Sequence, residues 1–429
     1  MSLLIKNGHI INPATNTEGI FDLLVEGNQV TKIEENIAEE AAEQVLDASG
    51  CFVFPGFIDL HVHFRDPGLT HKEDIETGSK AAARGGVTTV VTMPNTKPVA
   101  DNAEVIRYVH DKAKEVGLTH VLQVGAITKG MQGKELADIE EMIAAGIPAI
   151  SEDGKSVMDS NLYREAMKIV AKAGIPVLAH CEDINLVDGG VINQGEKSKA
   201  MGVKGISNAV ENIIAARDIM LAEETGAKLH LCHCSTKETV DLVRDGKAKG
   251  IAVSGEVCPH HFTLTDEDIV EGDSNYKMNP PLRSQEDVDK LKEGLKEGIM
   301  EAISTDHAPH TKEEKVSDFS KAPFGIVGLE TSAALTYTEL VLGGYLTPIG
   351  MAEKMSYNPA KILGIDKGDI SPNHVADITI FDPARIKDRA TFPEPTLPPE
   401  GIEYVFLGGE PALEHGKLLR DDLGRSARV

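Results

Sequence analysis

Tryptophan is absent from this chain of 429 residues, and aromatic residues make up only 4% of it. That scarcity argues against an aromatic-lined groove for nucleic acid or a platform for sugar rings. Positive charge is the minority sign, with 43 Lys and Arg against 68 Asp and Glu and a formal net charge of −25. A field of that sign disfavours nucleic acid and anionic membranes as partners, and the even spread of acidic residues fits a well-solvated surface. An anionic substrate would then need local positive groups in its pocket. No apolar run approaches the length of a membrane span, and the first residues show no basic stretch followed by an apolar one. Neither a membrane anchor nor a secretory leader is therefore expected. Cysteine is sparse: Cys51, Cys181, Cys232, Cys234 and Cys258 form no CxxC pair. An odd number of scattered thiols fits a reducing, cytoplasmic compartment.

What the sequence does have is rhythm. Residues 1 to about 53 carry short apolar runs broken by Asn7-Gly8 and Gly27-Asn28, which read as β-hairpin turns. From Pro55 the pattern changes to strand, loop and helix in repetition. Strands are expected over 57–63, 88–94, 120–126, 147–153, 175–180, 228–233, 250–257 and 301–306. Helical patterns lie between them over 104–116, 135–145, 161–173, 208–224, 238–245 and 286–296, with Gly117, Gly146, Gly174 and Gly226 at helix ends. This alternation points to an α/β fold, a (β/α)8 TIM barrel. A doubly wound open sheet is the rival, but no GxGxxG follows the first strand. After a last helix over 357–363, β patterns return over 376–382 and 402–407, separated by a Pro-rich crossing loop over 393–399. Neither β-rich end has enough strands for its own core. The expected organisation is therefore a small β-sandwich built from 1–53 and 365–429, flanking a barrel over 54–364.

The first barrel strand ends in Asp59-Leu60-His61-Val62-His63-Phe64-Arg65. Alternation along a strand puts His61 and His63 on one face, and two imidazoles there can grip a divalent ion. Arg65 continues the alternation and brings a fixed positive fork. The alternative is an edge strand with two surface histidines. In a barrel the site forms at the C-terminal strand ends. Those ends supply Asn95, Asp153, His180, His233 and Asp306. Four histidines and two aspartates converging from five strand ends suit Zn²⁺, and six ligands exceed one tetrahedral site, so two ions fit. Cys232 and Cys234 are expected on the face opposite His233, as small core residues, and His230 on the opposite face as well. His260 and His261 are read as loop residues in a supporting or capping role. His71, His110, His120, His374 and His415 are read as ordinary and mostly exposed.

Several motifs extend the pattern. They are His61-Val62-His63-Phe64-Arg65-Asp66-Pro67-Gly68, Met93-Pro94-Asn95-Thr96, Lys277-Met278-Asn279-Pro280-Pro281-Leu282-Arg283 and Asp306-His307-Ala308-Pro309-His310. With the strand-end ligands, they resemble the amidohydrolase superfamily of metal-dependent hydrolases, and within it the bacterial class I dihydroorotase family, over nearly the whole chain. Many relatives carry a carboxylated lysine on the fourth strand as the metal bridge. Here Ser151-Glu152-Asp153-Gly154 stands there, similar to the aspartate of one branch of class I dihydroorotases.

The resemblance implies reversible cyclisation of N-carbamoyl-L-aspartate to L-dihydroorotate, a step of pyrimidine biosynthesis. It implies a metal-activated hydroxide, with Asp306 as general base and then acid. It assigns His61, His63 and Asp306 to one Zn²⁺ ion and His180 and His233 to another, with Asp153 between them and the second ion held weakly. It places Arg65, Asn95 and His310, beside His63, around the substrate α-carboxylate, and Asn279 with the backbone near Phe324 and Gly325 around the ring. The polar stretch 311–321 is expected to act as a mobile lid. A hydantoinase or dihydropyrimidinase activity and a non-catalytic scaffold for aspartate transcarbamoylase are the competing readings. The resemblance leaves room for a homodimer and for association with aspartate transcarbamoylase, and no residue points to either.

Overall fold

Val, Ile, Leu and Ala dominate the strands that follow Pro55, and these strands are almost wholly buried, as parallel strands covered on both faces must be. In the computed structural model, which describes residues 2–316 and 318–419, they run as β1 (Phe57–Val62), β2 (Val87–Thr92), β3 (His120–Gln123, resuming as Gly125–Ala126), β4 (Ile150–Ser151), β5 (Val177–Ala179), β6 (Leu229–Leu231), β7 (Val253–Val257) and β8 (Ala302–Ile303). Every pairing among them is parallel. The two halves of β3 join a three-stranded and a six-stranded sheet, with Val124 N donating to Thr92 O at 3.0 Å across the junction. The ring closes where Val62 bridges His307 and His63 N donates to His307 O at 2.8 Å. This is the (β/α)8 barrel that the sequence rhythm predicts.

The barrel interior is filled by Ile58, Leu60, Val91, Leu122, Leu178 and Ala302, joined by Ala360 and Leu363 from the helix Asn358–Leu363. Alternate residues of the same strands face a larger outer cluster, where the helices pack. The expected helices are present as Ala103–Val116, Ile139–Ala144, Ser160–Ala173, Ala209–Thr225, Lys237–Ala248 and Gln285–Lys296. The second is shorter than the pattern suggests because Asp138 accepts from Glu141 N and so starts the helix late. A further helix, Ile75–Arg84, is capped reciprocally by Asp74 and Thr77. Its Gly78 lies where a Cβ would meet the Phe64 ring at 2.4 Å, so only glycine lets this helix close on the strand end that carries His61 and His63.

Both chain ends enter one nine-stranded sheet. Its centre is Phe52–Pro55, parallel to Ser2–Asn12 on one side and antiparallel to Ile378–Phe381 on the other. The outer strands are Thr17–Glu26, Gln29–Glu34, Ile402–Leu407, Glu410–Glu414 and Lys417–Leu418, and Gln44–Asp47 also pairs with Ser2–Asn12. Gly27-Asn28 makes the expected hairpin, with Glu26 paired to Gln29. Asn7-Gly8 does not turn the chain. Asn7 takes φ +58° and the register slips between Ile5 and Gly8, so the pair forms a bulge inside one long strand. Among the described residues no helix is long and apolar enough to cross a membrane.

Candidate active site

The ordered strands stop one to three residues short of most of the candidate ligands, so these side chains project from the mouth of the ring. His61 and His63 leave the same face of β1, with ring centroids 5.3 Å apart. His61 Nε2 lies 3.1 Å from Asp153 Oδ1 and 3.6 Å from Asp306 Oδ1. His63 Nε2 lies 3.1 Å from Asp306 Oδ1 and 3.4 Å from Asp153 Oδ2. His233 Nε2 is 3.7 Å from Asp153 Oδ1 and 2.9 Å from His180 Nδ1, which is itself 3.5 Å from the same Asp153 oxygen. Asp153 therefore sits at the centre, with all four histidines around it. The ligand atoms of His61, His63 and Asp306 lie within 4.8 Å of one another, as do those of His61, Asp153 and His233.

The tautomers favour a cation here. Asn95 Nδ2 donates to Asp153 Oδ2 at 3.3 Å, so its Oδ1 faces His63 Nδ1 at 2.9 Å and accepts the proton there. That leaves the His63 Nε2 lone pair pointing at two carboxylate oxygens. His61 Nδ1 lies 3.4 Å from Glu256 Oε1 while Nε2 faces the centre. His61 Nε2 and Asp153 Oδ1 are buried and make no hydrogen bond. Converging lone pairs without donors fit a bound metal ion, with outer carboxylates orienting the imidazoles.

Glu256 and Glu182 belong to this site, and strand-end reading overlooks both. Glu256, inside β7, accepts from His230 Nε2 at 3.0 Å and from His233 N at 3.2 Å. Against burial, His230 and His61 hold its carboxyl far below the usual range. Glu182 Oε2 is 2.7 Å from His180 Nε2 and accepts from Asn279 Nδ2 at 3.1 Å. A carboxylate inside an apolar strand was the available signal for Glu256, because buried charge needs a partner. Burial opposes the charge on His61, but Asp153 outweighs it and raises that imidazole. His180 rises to about 10, with Asp153 and Glu182 overcoming burial. Burial lowers His63, against the pull of Asp306 and Asp153 and with the help of Arg65.

Strand alternation misleads at β6. His233 takes φ +36°, which turns its side chain into the mouth after the strand has ended. His230 is not on an opposite face but reaches the site through Glu256. The two thiols also part company. Cys232 lies with His61 and Glu256 in the inner cluster, while Cys234 packs in the outer one. His260 and His261 belong to a short buried helix, Pro259–Thr263, rather than a loop. His110 and His120 are buried, unlike the exposed His71, because His110 Nε2 accepts from Gln123 N and His120 pairs with Asp377 at 3.2 Å.

Beside the cluster lies a group of donors. Arg65, at φ +59°, donates from Nε to Pro309 O at 3.2 Å, and its Nη2 is 3.4 Å from His310 Nε2. His310 Nε2 meets Phe324 O at 2.8 Å. Burial, then the charges of Arg65 and Lys72, push the His310 imidazole down to about 4, so it is neutral above that pH. Gly325 N donates to Lys277 O at 3.0 Å, and Gly325 O accepts from Lys315 Nζ at 2.9 Å. A cavity of about 240 Å³ adjoins this group, lined by His260, His310, Gly325 and Phe392 and by none of the six ligand-type residues.

Residues 50–239 match a family model described as dihydro-orotase-like. A dihydroorotase of Clostridioides difficile is 49% identical over 381 residues, covering 89% of this chain and 90% of that protein. The chain belongs to the dihydroorotase family. A family member from Geobacter metallireducens is 47% identical over 410 residues, 96% of each chain. Among solved structures, a D-hydantoinase (dihydropyrimidinase) from Thermus sp. is similar at 28% identity and a TM-score of 0.84, covering 99% of this chain and 98% of that one. An L-hydantoinase from Arthrobacter aurescens, at 24% identity and a TM-score of 0.84 over 98% and 97%, shares the fold.

Proposed function

We propose that this chain is a zinc-dependent dihydroorotase. It would interconvert N-carbamoyl-L-aspartate and L-dihydroorotate by closing and hydrolysing a cyclic amide. The observation that carries this reading is the adjacency of two opposite sites. One is the unpartnered His61 Nε2 and Asp153 Oδ1, with His63 Nε2 beside the same carboxylate, and the other is the group of Arg65 and His310. The first suits a cation and the second suits the substrate α-carboxylate. When bound, Zn²⁺ supplies a Lewis acid and acidifies water towards neutral pH.

His61, His63 and Asp306 would hold one ion and His180 and His233 a second, weaker one, with Asp153 between them. Arg65 and His310, with Asn95, receive the α-carboxylate and fix the ring against the cluster. Asn279 and the backbone near Phe324 and Gly325 hold the ring. Asp306 takes a proton from the attacking water and passes it to the leaving ring nitrogen, and the reverse transfer accompanies ring closure. Fixed donors and a fixed carboxylate supply orientation as well as charge.

The parts of the chain are proposed as 1–53 and 365–429 in the β-rich unit and 54–364 in the barrel, with Phe52–Pro55 as the seam. Residues 420–429 lie outside the described ones, as does Ser317 of the proposed 311–321 lid. Cytoplasmic location, a homodimer and association with aspartate transcarbamoylase extend the same proposal.

Turnover of both substrates across zinc stoichiometry tests it, with hydantoin as the neutral ring. Dihydroorotate should be the preferred substrate, and Arg65→Met should remove that preference. No turnover of either acid at any zinc load would overturn the reading, and a preference for hydantoin would favour the hydantoinases.

A further inference from the structure

Lys72 lies in the turn after β1, where Leu69 N donates to Arg65 O and Lys72 N to Leu69 O, both at 2.9 Å. Its ammonium is mostly buried and reaches back to His310, with Nζ 3.1 Å from His310 Nδ1. An ammonium only donates, so Nδ1 must be the unprotonated nitrogen. The imidazole proton then sits on Nε2, which explains the 2.8 Å contact with Phe324 O. That proton is committed to Phe324 O, and Arg65 Nη2 lies 3.4 Å from the same nitrogen, so the tautomer sets where the ring stands beside the guanidinium. A competitor for the other tautomer stands close by. Glu314 Oε2 is 3.4 Å from His310 Nδ1, while Glu314 Oε1 is held by Lys72 Nζ at 2.9 Å.

We propose that Lys72 is a positioning residue for substrate recognition. It holds His310 in the Nε2–H tautomer, and so keeps the ring anchored on Phe324 O beside Arg65, in the orientation that admits the substrate carboxylate. The inference rests on the carboxylate-binding role proposed above for Arg65 and His310. Without Lys72, Glu314 can accept a proton from Nδ1. Nε2 then carries a lone pair against Phe324 O, and the ring loses the anchor that keeps it in place beside Arg65. The neutral state of His310 supports this, since a doubly protonated ring would need no such control.

The test uses the zinc-loaded enzyme and Lys72→Met. KM for dihydroorotate should rise at least about tenfold, with kcat within about threefold. Nitrogen-15 NMR of histidine-labelled enzyme, with the His310 signal assigned through His310→Gln, should report a move of the proton from Nε2 to Nδ1. Adding Glu314→Gln removes the competing carboxylate and should restore both the tautomer and KM, a rescue that a merely structural lysine would not show. An unmoved proton in Lys72→Met, or a moved proton with unchanged KM, overturns the inference. Arg65→Met separates the two layers. If it leaves KM unchanged, the carboxylate assignment has failed. If it raises KM while Lys72→Met leaves the proton in place, only the Lys72 inference has failed.

Discussion

Glu256 receives His230 Nε2 and the His233 amide and faces His61 Nδ1, so one buried carboxylate orients two of the expected metal-binding histidines. Glu256→Gln keeps the shape and removes the charge. Zinc affinity should fall about 10- to 100-fold, read by chelator competition, as expected for a partner that aims a ligand. Unchanged affinity would show that the strand alone aims His61. Asp306→Asn should lower kcat by about 10²–10⁴-fold if its carboxylate moves the proton, with circular dichroism unchanged. Gly68 is a different kind of site residue. It has φ +88°, and a Cβ there would lie 1.7 Å from Lys97 O. Gly68→Ala should therefore distort the turn that carries Arg65, and its expected outcome is a raised KM for dihydroorotate. At this scale the sequence made the strand-end residues legible, because position in a barrel strand implies direction. It hid Glu256, which sits deeper in its strand, and the inward direction of Cys232, just past the end of β6, and it hid the role of Lys72, whose partner lies 238 positions away.

At the scale of elements, hydrophobic period and capping residues located the barrel strands and most of the helices. What they could not convey was where backbone conformation departs from regular geometry. His233 and Asp306, at φ +36° and +49°, end their alternation with a left-handed residue, so face-counting past the strand gives the wrong answer for His230. The helix Ile75–Arg84 carries Gly78 and three consecutive alanines, a weak apolar stripe whose reason is close packing on Phe64. Another element holds a buried lysine. Lys354 donates to Met300 O at 2.7 Å, and burial lowers its ammonium to about 8, against the charges of Glu301 and Glu353. Between about pH 8 and the ordinary lysine value near 10.5, the unfolded chain binds this proton and the folded chain does not. Stability therefore gains with rising pH over that window. Lys354→Met removes the term, so the stability of the wild type relative to the variant should improve between pH 7.5 and pH 10 in denaturant titrations. A constant difference would place the ammonium in water.

For the whole molecule, the β-rich sheet is locked to the base of the barrel by Asp377. This buried carboxylate takes His120 at 3.2 Å, Lys367 at 2.5 Å and Gly408 N at 2.8 Å. Asp377→Ala leaves the His120 ring and the Lys367 ammonium without their shared partner and should cost about 3–5 kcal/mol in unfolding, with little effect on zinc content. The pairing of the two chain ends was readable because neither could close a core alone. The branching of the sheet on Ser2–Asn12 was not readable, since it depends on the bulge at Asn7. The closure of the ring carries a consequence of another kind. Val62 meets His307 where the first and last strands join, and the proposed ligands His63 and Asp306 stand on either side of that joint, 243 positions apart. An ion held between them is a cross-link across a very long loop, and such links restrict the unfolded chain as well as tightening the folded one. Zinc would then be the clasp of the barrel as well as its reagent. Backbone amides of Phe57–Val62 and Ala302–Ile303 should gain exchange protection together as zinc is added, and those of the distant β-rich hairpin should not.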